Sequence, residues 1–325
     1  MYFLECQAIY NMIEVVVGLI IVVVGAELLT KSAEGIAYML KRAYAVGAIL
    51  LALSGNLPEL AVCISAILSG HPDLATSSIV GSVAVNILIV LGLAALLGGW
   101  KRDLEFDSKK LQADIPMLIG AMGFFIFINL GRAETIHLID GVILLITYVF
   151  LLRFILFSHK EVYISKEIHC ASEKPLWQWV VLFIISAGLV AVGAELLVGG
   201  VKEIFIDQMK LDEKFVGFTI LALAANLPEH LAAIKAAINR NGEIAVGNAI
   251  GSSSQAIYLI LGALIVISIA MENPLPTHFD AIYLATFATS VLLVVVVVSD
   301  GKLTWFEGWI FLIIYVLASA AIYYP

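Results

Sequence analysis

LALSGNLPELAVCISAIL occupies residues 51–68, and LALAANLPEHLAAIKAAI occupies residues 221–238. The stretches align without a gap, and each carries Asn-Leu-Pro-Glu in the middle of an apolar run. A carboxylate at the centre of a membrane helix costs about 2.5–3.5 kcal/mol, and such residues mark ion or proton pathways. One buried glutamate is explained by a protonated structural side chain. Two at matched positions, Glu59 and Glu229, call for a shared function.

The likeness extends outward from this pair. VVVGAELL at 22–29 answers VAVGAELL at 190–197, and SSIVGSVAVNILIVLG at 77–92 answers GNAIGSSSQAIYLILG at 247–262. The offset from 22 to 190 is slightly smaller than that from 77 to 247, so a short insertion separates these pairs. Self-similarity of this kind marks a duplicated unit.

Composition sets the solvent of that unit. Hydrophobic residues make up 62% of the 325-residue chain and charged ones 14%, with a mean hydropathy of +1.03. Soluble domains carry about a quarter charged residues, so the fold class is all-α integral membrane. Apolar runs long enough to span a bilayer are expected at 12–30, 44–69, 74–98, 114–130, 136–157, 176–199, 215–238, 244–270, 279–298 and 304–323. Each matched pair is separated by five spans, and five is odd, so about ten transmembrane helices form two inverted five-helix repeats. The expected division is 1–157, an inter-repeat loop at 158–175 on the cytoplasmic side, and 176–325. Inverted repeats place a transported substrate near the midplane, between interrupted helices.

With both termini outside, inner loops hold fourteen of the eighteen Lys and Arg residues, and the outer side holds only Arg132, Lys202, Lys210 and Lys214. That excess sets the expected orientation. No cleavable signal peptide is expected from MYFLECQAIYNMIE, and the cell membrane is the expected location. Cys6, Cys63 and Cys170 are odd in number and scattered, which suggests neither a disulfide framework nor a metal knuckle, and no polybasic stripe invites nucleic acid.

The proline before each glutamate, Pro58 and Pro228, removes a helix hydrogen bond and frees an upstream carbonyl. Asn56 and Asn226 lie three residues before Glu59 and Glu229, on the same helical face. Gly81-Ser82 with Asn86, and Gly251-Ser252 with Gln255, add hydroxyl and amide oxygens at matching places. An all-oxygen set with two carboxylates and no paired Cys or His suits a hard divalent cation such as Ca²⁺. The same carboxylates carry protons when the cation leaves. His230, beside Glu229 where Leu60 stands beside Glu59, is a candidate to share that proton. Glu27 and Glu195, in the matched GAELL segments, are candidate gate or vestibule residues.

At these residues the chain resembles the calcium/cation antiporter superfamily, whose two alpha repeats carry a Pro-Glu helix followed by a Gly-Ser helix. The resemblance implies ten core helices, alternating access by sliding of the first and sixth, and cation binding by Glu59 and Glu229. Asn56, Ser82, Asn86, Asn226, Ser252 and Gln255 would surround them. Sodium/calcium exchangers read Gly-Thr-Ser-x-Pro-Glu, and here Gly55, Asn56, Ala225 and Asn226 replace the hydroxyls. The chain is closer to the proton/calcium branch, although Leu227, Pro228 and Val85 depart from its usual residues. The expectation is antiport of Ca²⁺ against H⁺, with Na⁺ as the alternative coupling ion. Ca²⁺ is then the transported substrate; no resident cofactor, no enzymatic activity and no nucleic-acid partner are expected, and a homo-oligomer is compatible. A passive channel fits less well, because channels build pores between subunits, whereas this duplication lies within one chain.

Overall fold

The computed structural model describes residues 2–39, 44–112, 114–130, 136–158, 175–276 and 279–324. Arg132, Cys170 and the interior of the 158–175 loop lie outside the described residues. In chain order the helices are α1 (Tyr2–Met39), α2 (Tyr44–Leu68), α3 (Pro72–Gly99), α4 (Ile115–Leu130), α5 (Leu138–Ser158) and α6 (Leu176–Gln208). There follow α7 (Glu213–Ala225), α8 (Leu227–Ile238), α9 (Gly242–Ala270), α10 (Ala281–Asp300) and α11 (Trp305–Tyr323). Among the described residues six helices are long and apolar enough to cross a membrane, and the pair α7–α8 makes a seventh if counted as one bent span.

Burial sorts these helices into a centre and a periphery. The most apolar window of α3 is 83% buried and that of α9 is 61%, against 28% for α1, α6 and α11. Small residues explain how α3 reaches the centre. Ala75, Thr76, Ser77, Ser78, Gly81, Ser82 and Ala84 leave a narrow cylinder that neighbours approach closely. Its hydroxyls are partly satisfied within the helix, Thr76 donating to the Pro72 carbonyl at 2.9 Å and Ser77 to the Asp73 carbonyl at 2.7 Å.

α1 and α6 form the peripheral pair. A Cβ on Gly193 would meet the Val22 nitrogen at 2.8 Å, one on Gly25 the Val190 nitrogen at 3.2 Å, and one on Gly200 the Asn11 carbonyl at 2.9 Å. As residue numbers rise along α1 they fall along α6, so the two helices run antiparallel.

The second sequence repeat is not a copy of the first in shape. α2 continues through Pro58, which lies inside the helix. Its counterpart breaks: Asn226 leaves the helical region (φ −111°, ψ 14°), α7 and α8 meet at 64°, and Pro228 falls in the first turn of α8. Proline is favoured there, because first-turn N–H groups have no intrahelical acceptor. The sequence treats both prolines as equal interruptions, and the chain realises only the second as a break. α3 and α9 each contain a π-helical stretch, Val85–Val90 and Ala256–Leu261, a distortion that recurs at functional sites.

Two short turns close the ends of these helices. Gly70 (φ 81°) and Arg240 (φ 64°), at equivalent places in the two repeats, both adopt the left-handed conformation. The Arg240 guanidinium donates to the carbonyls of Gly98 (2.6 Å), Arg102 (2.8 Å) and Asp103 (3.3 Å), tying the end of α8 to the end of α3. Just beyond, β1 (Leu104–Glu105) pairs antiparallel with β2 (Lys302–Leu303), joining the α3 end to the α10–α11 turn.

Candidate cation site

The two Asn-Leu-Pro-Glu segments converge on the matched Gly-Ser segments of the opposite half. From α2, the Asn56 amide donates to the Gln255 side-chain oxygen on α9. From the α7–α8 break, the Asn226 amide donates to the Ser82 hydroxyl on α3 at 2.9 Å. Within the second half, Ser252 donates to Glu229 Oε2 at 2.8 Å. Glu59 is buried and interacts with both the Ser82 hydroxyl and the Asn226 amide, and lies near enough to Glu229 for the two charges to repel. Its Oε1 is buried without a hydrogen-bond partner. A carboxylate oxygen left bare in an apolar interior is costly.

His230 Nε2–H donates to Asn86 Oδ1 at 3.0 Å, while Nδ1 is buried without a partner. In the first half Leu60 stands at the position of His230, so only one flank of the site carries this polar pair. Hydrogen bonds thus pair Asn56 with Gln255, Asn226 with Ser82, Ser252 with Glu229 and His230 with Asn86, and Glu59 interacts with Ser82 and Asn226.

Glu27 and Glu195 do not join these contacts. Glu27 pairs with Lys31 at 2.6 Å on the exposed face of α1, and Glu195 is exposed on α6. Among the described residues no hydrogen bond links either to the site. Their matched positions reflect the matched helices that carry them.

Two residues add to the sequence reading. Asn248, one helical turn before Ser252, donates to the Glu229 main-chain carbonyl at 3.4 Å; its spacing from Ser252 was the available signal. Gly55 leaves room for the opposite half, since a Cβ there would strike Glu229 Oε1. The missing hydroxyl at position 55 thus has a steric reason: the Glu229 carboxyl occupies that space.

The chemistry of the set is one of paired carboxylates and neutral oxygens. Among the described residues no group of three or more His, Cys, Asp and Glu side chains converges as a metal centre. Two carboxylates balance a single divalent charge. Neutral amides and hydroxyls can replace hydration oxygens without trapping the ion.

Comparison with known proteins gives the family and the fold. The family described as sodium/calcium exchanger protein matches residues 11–157 and 178–324. The Ca(2+)/H(+) antiporter ChaA of Bacillus subtilis is 30% identical over 292 residues, covering 84% of this chain and 82% of that protein. The vacuolar calcium ion transporter of Schizosaccharomyces pombe is 30% identical over 298 residues, covering 86% and 72%. The solved structure of native YfkE superposes with a TM-score of 0.77 over the whole of both chains, at 23% identity, a likeness of fold. The match takes in nearly all of both halves, and the chain belongs to the sodium/calcium exchanger protein family.

Proposed function

We propose that this protein is a secondary active antiporter that exchanges Ca²⁺, or a similar divalent cation, for protons across a membrane by alternating access. One observation carries the reading: Glu59 and Glu229, at matched positions of a duplicated sequence, meet in a cluster of neutral oxygens between apolar helices. The relatives named as a Ca(2+)/H(+) antiporter and a vacuolar calcium ion transporter support the same pair of ions.

Glu59 and Glu229 are the shared cation and proton carriers. Asn56, Ser82, Asn86, Asn226, Ser252 and Gln255 supply neutral oxygens, and His230 takes part in proton coupling through its place beside Glu229 and Asn86. Release of Ca²⁺ leaves two carboxylates close together in an apolar interior, and uptake of protons removes that penalty. The cycle then needs no second ion site. Sodium is the weaker choice of coupling ion, since the space at Gly55 holds the Glu229 carboxyl and no hydroxyl.

The architecture is ten transmembrane helices in two inverted repeats, 1–157 and 176–325, joined by a cytoplasmic loop at 158–175, with both termini outside the cell membrane. The antiparallel run of α1 and α6, whose sequences correspond, supports the inversion. The test is Ca²⁺ uptake by proteoliposomes under an imposed pH gradient or an imposed Na⁺ gradient. Uptake driven by the pH gradient alone is expected; uptake driven only by sodium would overturn the choice of coupling ion.

A further inference from the structure

Where α3 ends against the end of α8, no side chain separates the two backbones. A Cβ on Gly98 would sit 2.5 Å from the Ala237 carbonyl oxygen. The Arg240 guanidinium spans this contact and commits three of its five N–H donors to the Gly98, Arg102 and Asp103 carbonyls. Its Nε–H and one Nη2–H are left over. Beside the contact opens a cleft of about 640 Å³, lined by Leu96, Leu97, Gly98, Trp100, Lys101 and Arg240.

The lining divides by chemistry. Leu96, Leu97 and Trp100 form an apolar wall that faces outward, Leu97 being 58% exposed and Trp100 65%. Trp100 lies against Trp305, with ring centroids 5.7 Å apart, and Trp305 against Phe306 at 5.9 Å. Aromatic side chains at the end of a membrane-spanning helix settle at the depth of the lipid headgroups. At the rim, Lys101 and Arg240 add two positive charges. Other cations at this end are already balanced: Arg102 pairs with Glu105 at 3.3 Å, and Lys302 with Asp103 at 4.0 Å. Among the described residues no carboxylate pairs with Lys101 or Arg240.

We propose that this cleft binds an anionic phospholipid, with its phosphate between Lys101 and Arg240 and an acyl chain starting along Leu97 and Trp100. Basic pockets between membrane helices recognise such headgroups, and a guanidinium with two N–H groups to spare suits phosphate oxygens. A free phosphate would match the two cations and leave the apolar wall wet. A neutral lipid would cover the wall and leave the cations unmatched. An anionic lipid answers both halves of the lining. Bound there, it braces the junction of α3 and α8, and α8 carries Glu229 in its first turn.

The test titrates purified protein, in neutral detergent, with dioleoyl phosphatidylglycerol, dioleoyl phosphatidylcholine or inorganic phosphate. Native mass spectrometry counts bound lipid, and a thermal melt runs alongside. Phosphatidylglycerol is expected to bind about tenfold tighter than phosphatidylcholine or better, and to raise the melting temperature. Lys101→Ala should weaken that binding about fivefold or more, the scale of one basic residue at an anionic surface. Lys109→Ala removes the same charge from an exposed position outside the cleft, and should leave the affinity within about twofold. Both lysines are exposed, so neither variant should melt lower than the parent without lipid; should Lys101→Ala fail to fold, Lys101→Gln carries the test with the same loss expected. Equal binding of the two lipids, equal losses in the two lysine variants, or displacement of the lipid by inorganic phosphate at equal concentration overturns the proposal. None of these readouts uses ion flux, so a protein that exchanges no Ca²⁺ refutes the antiport reading and leaves the lipid site standing.

Discussion

Replacing Glu229 by glutamine keeps the shape of the side chain and its hydrogen bond from Ser252, at 2.8 Å, while removing one charge. Two charges on Ca²⁺ facing one carboxylate charge about 4 Å away interact by about 8 kcal/mol at an effective dielectric constant near 20. The amide dipole and the relief of carboxylate desolvation return roughly half or more of this, leaving about 3–4 kcal/mol. The expected loss in Ca²⁺ affinity is therefore roughly 100–1,000-fold. Calorimetric titration of purified Glu229→Gln with Ca²⁺ measures it directly, and a thermal melt without Ca²⁺ supplies the control. Because the hydrogen bond survives and a buried carboxyl is gone, the melting temperature should hold or rise. Glu59→Gln should lose Ca²⁺ binding likewise, since its Oε1 has no partner to replace the ion. Affinity within tenfold of wild type in either variant would refute the assignment of that carboxylate to the site.

Three further outcomes follow from the same geometry. Ca²⁺ affinity should fall as pH falls, by about tenfold per pH unit for each proton the cation displaces, because a protonated carboxyl cannot ligate it; a pH-independent titration would remove the proton from the cycle. Gly55→Ala should push the Glu229 carboxyl off Ser252, at a cost of about 1.5–3 kcal/mol for a hydrogen bond to a charged group and hence about tenfold or more in affinity. Arg240→Ala should destabilise the fold by about 2–3 kcal/mol, the guanidinium being held by three carbonyls, with lysine recovering only part of it in a thermal shift assay.

The membrane class, the duplication and the two glutamates were legible because each leaves a mark in one dimension: apolar runs, a fixed offset between matched segments, and a charge where charge is costly. The spacing of Asn56, Ser82 and their equivalents also marked side chains that the fold brings into contact across the two halves. Their pairing was not legible, since Asn56 reaches Gln255 but Asn226 reaches Ser82, a difference set by Val85 standing where Gln255 stands in the other half. Nor did the sequence distinguish Pro58 from Pro228. Identical local chemistry is bent in one half and not in the other, so the difference resides in packing across the chain. Glu27 and Glu195 lie apart from the cluster for a related reason. Residues matched by duplication inherit their helix, and these helices present them outward.

The length of the α1–α6 pair has its own consequence. The helical segment Ile9–Met39 has 31 residues and Leu176–Gln208 has 33, their charged residues included, about 46 and 50 Å of helix at 1.5 Å per residue. A hydrocarbon layer of about 30 Å is shorter than either, so both helices must lean or protrude from it together. Their mutual contact through Gly25, Gly193 and Gly200 makes that tilt a shared coordinate. Acyl-chain length is then expected to act on the pair together, since any lean of one helix against the buried helices α3 and α9 is shared by the other. The lipid in which this protein is reconstituted becomes a variable of its turnover, as real as either ion gradient.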